Sequence, residues 1–180
     1  IRNDPGLVPV VIAAAGSYYL AEDIVGLPGQ HGIQIAASDV TLDLNGFAIR
    51  GNLEVGSIDG VNLTAAASNV CVRNGVIRDF QGLGVSANTP NLGCLFENLR
   101  VSNCGSIGIR SGLGGLVSGC VVRDCGSIGI TGQDGALITG CTSYSNAAAG
   151  INNGGGLVHG CSARDNVGLQ IALVNGALGH

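Results

Sequence analysis

The sequence predicts an all-β fold, a right-handed parallel β-helix solenoid of about six coils with three short strands in each coil. Three observations lead to this prediction. The 180 residues include 32 glycines, 46% hydrophobic and only 11% charged residues, which excludes intrinsic disorder and a helical bundle. A glycine followed by an aliphatic residue recurs along the chain. The residues around this dipeptide alternate with a period of two, which is typical of β-strands.

The dipeptide recurs every 18 to 28 residues, and such a period indicates a solenoid whose coils bury their apolar faces by stacking. Its copies are Gly32-Ile33, Gly60-Val61, Gly84-Val85, Gly108-Ile109, Gly129-Ile130, Gly150-Ile151 and Gly168-Leu169. We expect one interior row of Ile33, Val61, Val85, Ile109, Ile130 and Ile151. Alternation then turns the following residues outward as a polar, largely uncharged strip. This strip comprises Gln34, Asn62, Ser86, Arg110, Thr131, Asn152 and Gln170. It is either a solvated outer face or a surface that binds sugar hydroxyls or a neighbouring protein, with Gln34, Asn62, Arg110 and Asn152 as candidate binding residues.

A second strand in each coil ends at a corner where one residue type dominates. The corner residues are Gly46, Gly75, Asn98, Gly119, Gly140 and Gly160. Asparagine is the non-glycine residue that best tolerates positive φ, so this row predicts a left-handed bend in most coils. A third strand leaves the corner and completes the coil.

The seven cysteines follow the same repeat. Cys120, Cys141 and Cys161 are spaced by 21 and 20 residues, and Cys104 and Cys125 form a second row. We expect inward-facing, unmodified thiols, because strand stacking sets their Cβ atoms about 4.8 Å apart, further than a disulfide prefers. The sequence has no C-x-x-C motif, and its three histidines lie far apart, so we expect neither a zinc site nor another cofactor.

The two ends of the chain differ in character. We expect residues 1–31 to form an extended N-terminal cap and residues 32–180 to form the β-helix, within a single domain. The C-terminal segment is apolar and carries no charged side chain between Gln170 and Gly179. A solenoid end exposes unpaired strand edges, and this segment predicts self-association through Ile171, Leu173, Val174 and Leu178.

The stretch from Ser17 to Gly51 carries a resemblance to a known family. It contains Ser17-Tyr18-Tyr19-Leu20-Ala21-Glu22-Asp23-Ile24, then Gly32-Ile33-Gln34-Ile35 and Val40-Thr41-Leu42-Asp43-Leu44-Asn45-Gly46. These motifs resemble the opening of secreted bacterial right-handed β-helix repeat proteins of the pectate-lyase-like superfold. The resemblance implies the fold and an extracellular location. It leaves the function open, since that superfold hosts lyases, hydrolases, epimerases, tailspikes, adhesins and non-enzymatic repeats.

Charged residues cluster on the third strand of alternate coils, as Arg78-Asp79, Arg123-Asp124 and Arg164-Asp165. The coils between them carry Ser102-Asn103 and Tyr144-Ser145. The alternation keeps like charges off adjacent coils, where they would repel by about 1 to 3.5 kcal/mol. An alternative interpretation is a groove that grips a sugar polymer through the arginines and aspartates beside Tyr144.

Two hypotheses about function follow. The chain lacks the Asn-Thr-Asp, Gly-His-Gly and Asp-Pro-His-Asp signatures of polysaccharide-active β-helix enzymes. This absence favours a non-catalytic, secreted structural protein that associates with itself into a filament, sheath or oligomer. The alternative is a module that binds or processes a polysaccharide, as a lyase or hydrolase would. The eight dispersed arginines predict no nucleic-acid partner, and the longest apolar stretch is too short for a membrane span.

Overall fold

The chain folds into a parallel β-helix in a computed structural model, which describes residues 1–2, 9–53, 58–65, 67–173 and the backbone of 177–179. The described residues contain strands and turns but no helix. The strands in chain order are β1 Val10–Ile12, β2 Gly16–Tyr19, β3 Ile24–Val25, β4 Ile33–Ile35, β5 Val40–Asp43, β6 Ala48–Arg50, β7 Val61–Leu63, β8 Cys71–Arg78, β9 Val85–Ser86, β10 Leu95–Ser102, β11 Ile109–Arg110, β12 Leu116–Ser118, β13 Val121–Arg123, β14 Ile130–Gly132, β15 Leu137–Thr139, β16 Thr142–Tyr144, β17 Ile151–Asn153, β18 Leu157–His159, β19 Ser162–Arg164, β20 Ile171–Leu173 and β21 Ala177–Gly179.

These strands stack into three parallel faces. The first face has the order β1-β4-β7-β9-β11-β14-β17-β20. The second face contains β2, β5, β12, β15, β18 and β21, and the third contains β3, β6, β13, β16 and β19. The long strands β8 and β10 bend through both of these faces. The predicted fold class, a parallel β-helix with three strands per coil, is therefore confirmed.

The helix has about seven coils where the sequence predicts about six. The additional coil comes from β1, β2 and β3, which pair in parallel with β4, β5 and β6. Apolar residues of this segment enter the core, since Ile12, Leu20 and Ile24 are buried. Residues 10–25 thus make the backbone pairings of a coil. The predicted boundary between a cap and the helix at residue 31 stays a prediction.

The interior row predicted from the glycine dipeptide is confirmed. Ile33, Val61, Val85, Ile109, Ile130 and Ile151 pair in register and are all fully buried. The preceding glycines pack against the inward side chains of the third face. A Cβ atom at Gly108, for example, would collide with the Val122 side chain and lie 2.7 Å from the Gly129 carbonyl oxygen. Close approach of backbone to core explains why glycine recurs there.

Each coil bends at three corners, and each kind of corner uses left-handed backbone in most coils. The first corner carries positive φ at Asp39, Asn69, Gly93, Gly114 and Gly135. The second does so at Asn45, Gly46, Asn74, Asn98, Gly119, Gly140 and Gly160. The third does so at Asp79, Asn103, Asp124, Ser145 and Asp165. The sequence predicts only the second corner because glycine marks it, whereas Asp, Asn and Ser occupy the third.

The prediction of positive φ is wrong for one residue of the corner row. Gly75 is not left-handed; Asn74, with φ of 59°, takes the bend in that coil. Gly75 is the next residue, the first of the third strand, and pairs with Leu99. It is glycine for a steric reason, because a Cβ atom there would collide with Leu44 and lie 2.7 Å from the Phe47 carbonyl oxygen.

We expect Gly119→Val to destabilise the fold by more than about 1 kcal/mol, because a β-branched residue is forced into left-handed backbone. Gly119 has φ of 60°, and an added Cβ would lie 2.8 Å from Asn98 Oδ1. Urea unfolding at equilibrium measures the loss. Gly119→Asn is the matched control, since asparagine tolerates this bend, and equal losses for the two variants would contradict the assignment.

The cysteine rows face inward, as the sequence predicts. Cys104, Cys120, Cys125 and Cys141 are buried, Cys161 is half-buried in the last complete coil, and all seven cysteines are free thiols. The Cys141 amide donates to Cys161 Sγ at 3.4 Å. Hydrogen bonding with Cys120, together with burial, raises the pKa of the Cys141 thiol to about 12. Hydrogen bonding with Cys125 and burial likewise raise the pKa of Cys104.

We expect native thiol labelling at neutral pH to divide the cysteines into two classes. Cys71 and Cys161, which are half-buried, react first, and the five buried thiols react only after unfolding, because the reagent must reach the sulfur atom and only the first two residues are partly exposed. Timed labelling with mass spectrometry of the peptides measures this. Rapid native labelling of Cys120 and Cys141 would show that this row faces outward.

Candidate functional site

The third face carries two outward rows, and five of the eight arginines lie on them. One row runs through Arg50, Arg78, Ser102, Arg123, Tyr144 and Arg164 in register. The other runs through Ala48, Val76, Arg100, Val121, Thr142 and Ser162. Inward residues between the rows, such as Ile77 and Val122, are fully buried and hold the strands in place. We call this surface the arginine face.

Each predicted Arg–Asp pair forms an ion pair within itself. Arg78 Nη1 lies 2.6 Å from Asp79 Oδ2, and Arg164 Nη1 lies 2.5 Å from Asp165 Oδ2. Arg123 pairs in the same way with Asp124. The aspartates stand at the third corner, with positive φ, and not on the strand. The left-handed bend turns each carboxylate back toward the preceding guanidinium, so each pair is locally neutral.

Arg100 differs from these arginines. It lies on the second outward row, on the coil between those of Arg78 and Arg123. Its side chain is exposed and has no ion-pair or hydrogen-bond partner among the described residues. Arg50, by contrast, contacts Asp23 Oδ2 at 2.7 Å. Arg100 is therefore the uncompensated positive charge of the arginine face.

Tyr144 supplies the aromatic surface of this face. The guanidinium carbon of Arg164 lies 4.5 Å from the centre of its ring, within the range of a cation–π contact. A shallow groove of about 340 Å³ lies beside the ring. Its lining includes Val76, Arg78, Arg100, Ser102, Arg123 and Tyr144. The groove spans four coils and runs along the helix axis.

A second groove, of about 540 Å³, lies on the other side of the Arg–Asp pairs. The third corner forms its floor through Asn103, Asp124, Ser145 and Asp165, and Leu53 and Val167 line it as well. Asn103 Nδ2 donates to Asp79 Oδ1 at 2.8 Å, which links this corner from coil to coil. The aspartates thus separate two parallel grooves.

Most residues of the polar strip predicted on the first face lie at its outer surface. Gln34, Asn62, Arg110, Thr131 and Asn152 are partly exposed and lie in register with Ser86. Arg110 Nη1 donates to Asn88 Oδ1 at 2.6 Å, and Asn62 Nδ2 donates to Asp59 Oδ2 at 3.3 Å.

Two residues predicted for this strip depart from it. Ser86 is only 3% exposed, because Asn88 covers it and donates to its Oγ at 3.2 Å. Gln170 lies out of register, since Asn152 pairs with Ala172 and Ile151 with Ile171. The Gln170 amide turns instead to Asn166, whose Nδ2 donates to Gln170 Oε1 at 2.8 Å. The last dipeptide, Gly168-Leu169, is therefore not a repeat of the earlier ones.

The predicted self-association residues lie at the C-terminal end. Ile171 and Leu173 on β20 are half-buried and pack against the core. Leu178 falls on β21, which pairs with β18, and only its backbone is described. Val174 lies outside the described residues.

The second face carries its own ion network. Arg73 Nε donates to Asp43 Oδ2 at 3.0 Å, and Arg73 Nη1 lies 3.8 Å from Glu97. Partial burial raises the pKa of Asp43, but hydrogen bonds from Asn45, Asn74 and Arg73 more than offset it and leave that pKa below its usual range.

Arg100 is absent from the predicted site residues because no other residue of its row is charged. The other members of that row are Ala48, Val76, Val121, Thr142 and Ser162. The available signal was the corner residue Asn98, since alternation after it turns Leu99 inward and Arg100 outward.

Two further observations concern the described residues. No group of three or more His, Cys, Asp or Glu side chains is arranged there to hold a metal ion. That part of the chain also contains no helix with the length and apolarity needed to cross a membrane.

The fold is similar to that of a solved polysaccharide-modifying protein. No family model matches the chain, and no curated protein does. The A-module of the mannuronan C-5 epimerase AlgE4 from Azotobacter vinelandii superposes with a TM-score of 0.68 at 12% sequence identity. The match covers 88% of this chain and 58% of that chain. At this identity the likeness concerns the fold alone.

Proposed function

We propose that this β-helix binds an anionic polysaccharide along the arginine face. The observation that carries the proposal is Arg100, an exposed guanidinium without a partner among the described residues, in a groove that follows the helix axis. A guanidinium and a carboxylate form charge-assisted, bidentate hydrogen bonds. A polymer with one carboxylate in each sugar residue would place such a group near Arg100 while it extends over neighbouring coils.

The remaining residues of the groove suit a sugar chain. Tyr144 offers an aromatic ring beside the groove, and its contact with Arg164 holds that ring in place. Arg78 and Arg123 keep N–H donors beyond those that bind their aspartates, since a guanidinium has five. These groups would bind hydroxyl or carboxylate oxygens on either side of Arg100.

The proposal is one of binding without turnover. Acid–base chemistry on a glycosidic bond needs carboxylates that converge on the bond. On the arginine face Asp79, Asp124 and Asp165 each accept a hydrogen bond from the preceding arginine. The polysaccharide-modifying neighbour supports a sugar polymer as the ligand class, and an extracellular location belongs to the same proposal.

The test is titration of the protein with mannuronan oligomers by calorimetry at low salt. We expect Arg100→Ala to weaken binding by about tenfold or more, because a hydrogen bond to a charged group contributes about 1.5–3 kcal/mol. Arg110→Ala is the matched control, since it removes the same charge from the first face. We expect it to leave the affinity unchanged.

Three results would contradict the proposal. Equal losses for Arg100→Ala and Arg110→Ala would indicate a non-specific charge effect. A neutral glucan bound as tightly as mannuronan would favour the polar strip around Asn62 and Asn152. Chain cleavage or epimerised products in the same samples would show turnover.

A second candidate function is self-association at the C-terminal end, which is favoured by the partly exposed interior residues Ile171 and Leu173 on the last coil. The combined variant Leu173→Glu with Leu178→Lys should then reduce the particle mass in light scattering while the circular dichroism spectrum is unchanged. An unchanged mass distribution would contradict this candidate.

A further inference from the structure

The second face carries a row of four identical apolar side chains on its outer surface. Leu95, Leu116, Leu137 and Leu157 pair in register on successive coils. Their inward neighbours Phe96, Val117, Ile138 and Val158 fill the core, so the leucines point away from it. Neighbouring leucines are one coil apart, about 4.8 Å. We call this row the leucine ridge.

The first corner beside the ridge has no side chains on three successive coils. That corner is formed by Gly93, Gly114 and Gly135. A Cβ atom built on Gly93 or Gly114 would have no heavy atom within 4 Å. Leu92, which is 53% exposed, and the half-buried Leu113 lie next to these glycines. The result is a surface of leucine and glycine.

The row on the other side of the ridge is polar and has little net charge near the middle. It runs through Asp43, Arg73, Glu97, Ser118, Thr139 and His159 in register. Arg73 pairs with Asp43 at 3.0 Å and also lies 3.8 Å from Glu97. Glu97 thus lies beside the first leucine of the ridge and His159 beside the last, with two neutral hydroxyl residues between them.

This chemistry sets the second face apart from the other two. The first face presents amides and hydroxyls, and the third presents arginines and aspartates, whereas the second carries contiguous leucines. Leu157 is 39% exposed and the other three are half-buried. A contiguous, partly exposed apolar row of this kind is stabilised when another apolar surface covers it.

The geometry points to a second copy of this chain as the partner, docked on the leucine ridge with its helix axis antiparallel. A two-fold axis that lies between the two faces and crosses the ridge midway between Leu116 and Leu137 brings each ridge onto the other. Leu95 then faces Leu157 of the second copy, and Leu116 faces Leu137. The same rotation places Ser118 opposite Thr139 and glycine corner against glycine corner.

The polar row favours this arrangement. The two-fold axis sets Glu97 of each copy opposite His159 of the other, so a carboxylate that accepts hydrogen bonds faces an imidazole that can donate one, twice. Isologous contacts of this kind require a self-complementary surface. A parallel arrangement would set the polar row of each copy against the glycine corner of the other and leave Glu97 without this partner. The contact is independent of both the arginine face and the C-terminal end.

The test is sedimentation equilibrium over a range of protein concentrations. We expect the wild-type protein to reach twice its chain mass of 17.9 kDa. The combined variant Leu116→Thr with Leu137→Thr should raise the dissociation constant by about tenfold or more, because truncated residues at the centre of an interface cost most. Val121→Thr is the matched control for this measurement, since it removes an outward apolar side chain from the third face and should leave the dissociation constant of the dimer unchanged.

Orientation is tested by two charge variants that leave the leucines intact. Ser118→Arg with Thr139→Arg sets like charges opposite one another across the antiparallel contact and should dissociate the dimer. Ser118→Arg with Thr139→Glu sets opposite charges there and should preserve it. Circular dichroism shows whether Leu116→Thr with Leu137→Thr still folds. If that variant does not fold, the two charge variants still test the dimer contact.

Several outcomes would overturn the inference. One is a wild-type protein that stays monomeric at all concentrations. Another is an oligomer that Leu173→Glu dissociates while Leu116→Thr with Leu137→Thr leaves it intact, since that places the contact at the helix end. A third is the same response to both charge variants, which excludes the antiparallel arrangement. Loss of mannuronan binding by Arg100→Ala bears on none of them.

Discussion

Replacing Phe96 by alanine should destabilise this protein by about 3–5 kcal/mol, the cost of truncating a buried aromatic side chain. Phe96 is the second residue of β10 and is fully buried, and its row places Val72 and Val117 on the coils to either side. Removal of the ring leaves a cavity that rigid parallel coils cannot close. Because small domains are stable by only about 5–15 kcal/mol, the variant should unfold at a much lower urea concentration.

Leu95→Ala is the control for this prediction. Leu95 is the adjacent residue on the same strand, it is of similar size, and it faces outward. At protein concentrations low enough for monomers we expect a much smaller loss than for Phe96, about 1 kcal/mol, since truncation of a half-buried, outward side chain leaves no enclosed cavity. Comparable losses at the two positions would contradict the register of the second face.

Gly108→Ala should destabilise the protein by about 3 kcal/mol, the upper end of the range for an overpacked core. The added methyl group would collide with Val122 and lie 2.7 Å from the Gly129 carbonyl oxygen. That oxygen belongs to the backbone of the next coil and accepts the Ile109 amide. The coils would have to separate and weaken this hydrogen bond to make room, which urea unfolding would detect.

The matched control is Gly154→Ala. Gly154 does not have positive φ, and an added Cβ would meet only the Gly132 carbonyl oxygen at 3.4 Å and Asp134 Oδ1 at 3.8 Å, which are ordinary contacts. We expect a change within about 1 kcal/mol, with either sign, because alanine also restricts the unfolded chain. If Gly108→Ala behaved in the same way, the recurring glycine would have to be explained without close packing.

One row of the candidate site could be predicted from the sequence, and Arg100 could not. The alternation of Arg78, Ser102, Arg123, Tyr144 and Arg164 can be read directly, because residues of one row recur at the coil period. Arg100 could not, because it is the one charged residue of its row and leaves no periodic signal. The corner at Asn74 could not be predicted either, since Gly75 and Asn74 both tolerate left-handed backbone and the choice between them rests on the space beside Leu44 and Phe47.

The first and last coils were also not predicted correctly from the glycine dipeptide. The spacing of Gly168-Leu169 suggested another repeat, but pairing of Ile151 with Ile171 places the last strand three residues after that glycine. Residues 10–25 carry no glycine dipeptide, and yet they pair as a coil. Backbone pairing with a neighbour makes a coil, and such pairing needs no particular residue except where the chain bends or packs closely.

The sequence by itself determined the parallel β-helix and its interior row, because the periods of two and of about 21 residues reflect strand pleating and coil stacking. These are local geometric requirements that each coil repeats. Only the tertiary structure decided which charges are neutralised and which surfaces stay uncovered. The partner of Arg78 is Asp79 through a left-handed bend, Arg100 has none among the described residues, and the leucine ridge appears only when four coils are in register. Such relations depend on how neighbouring coils align, and a shift of one residue turns a side chain to the opposite face.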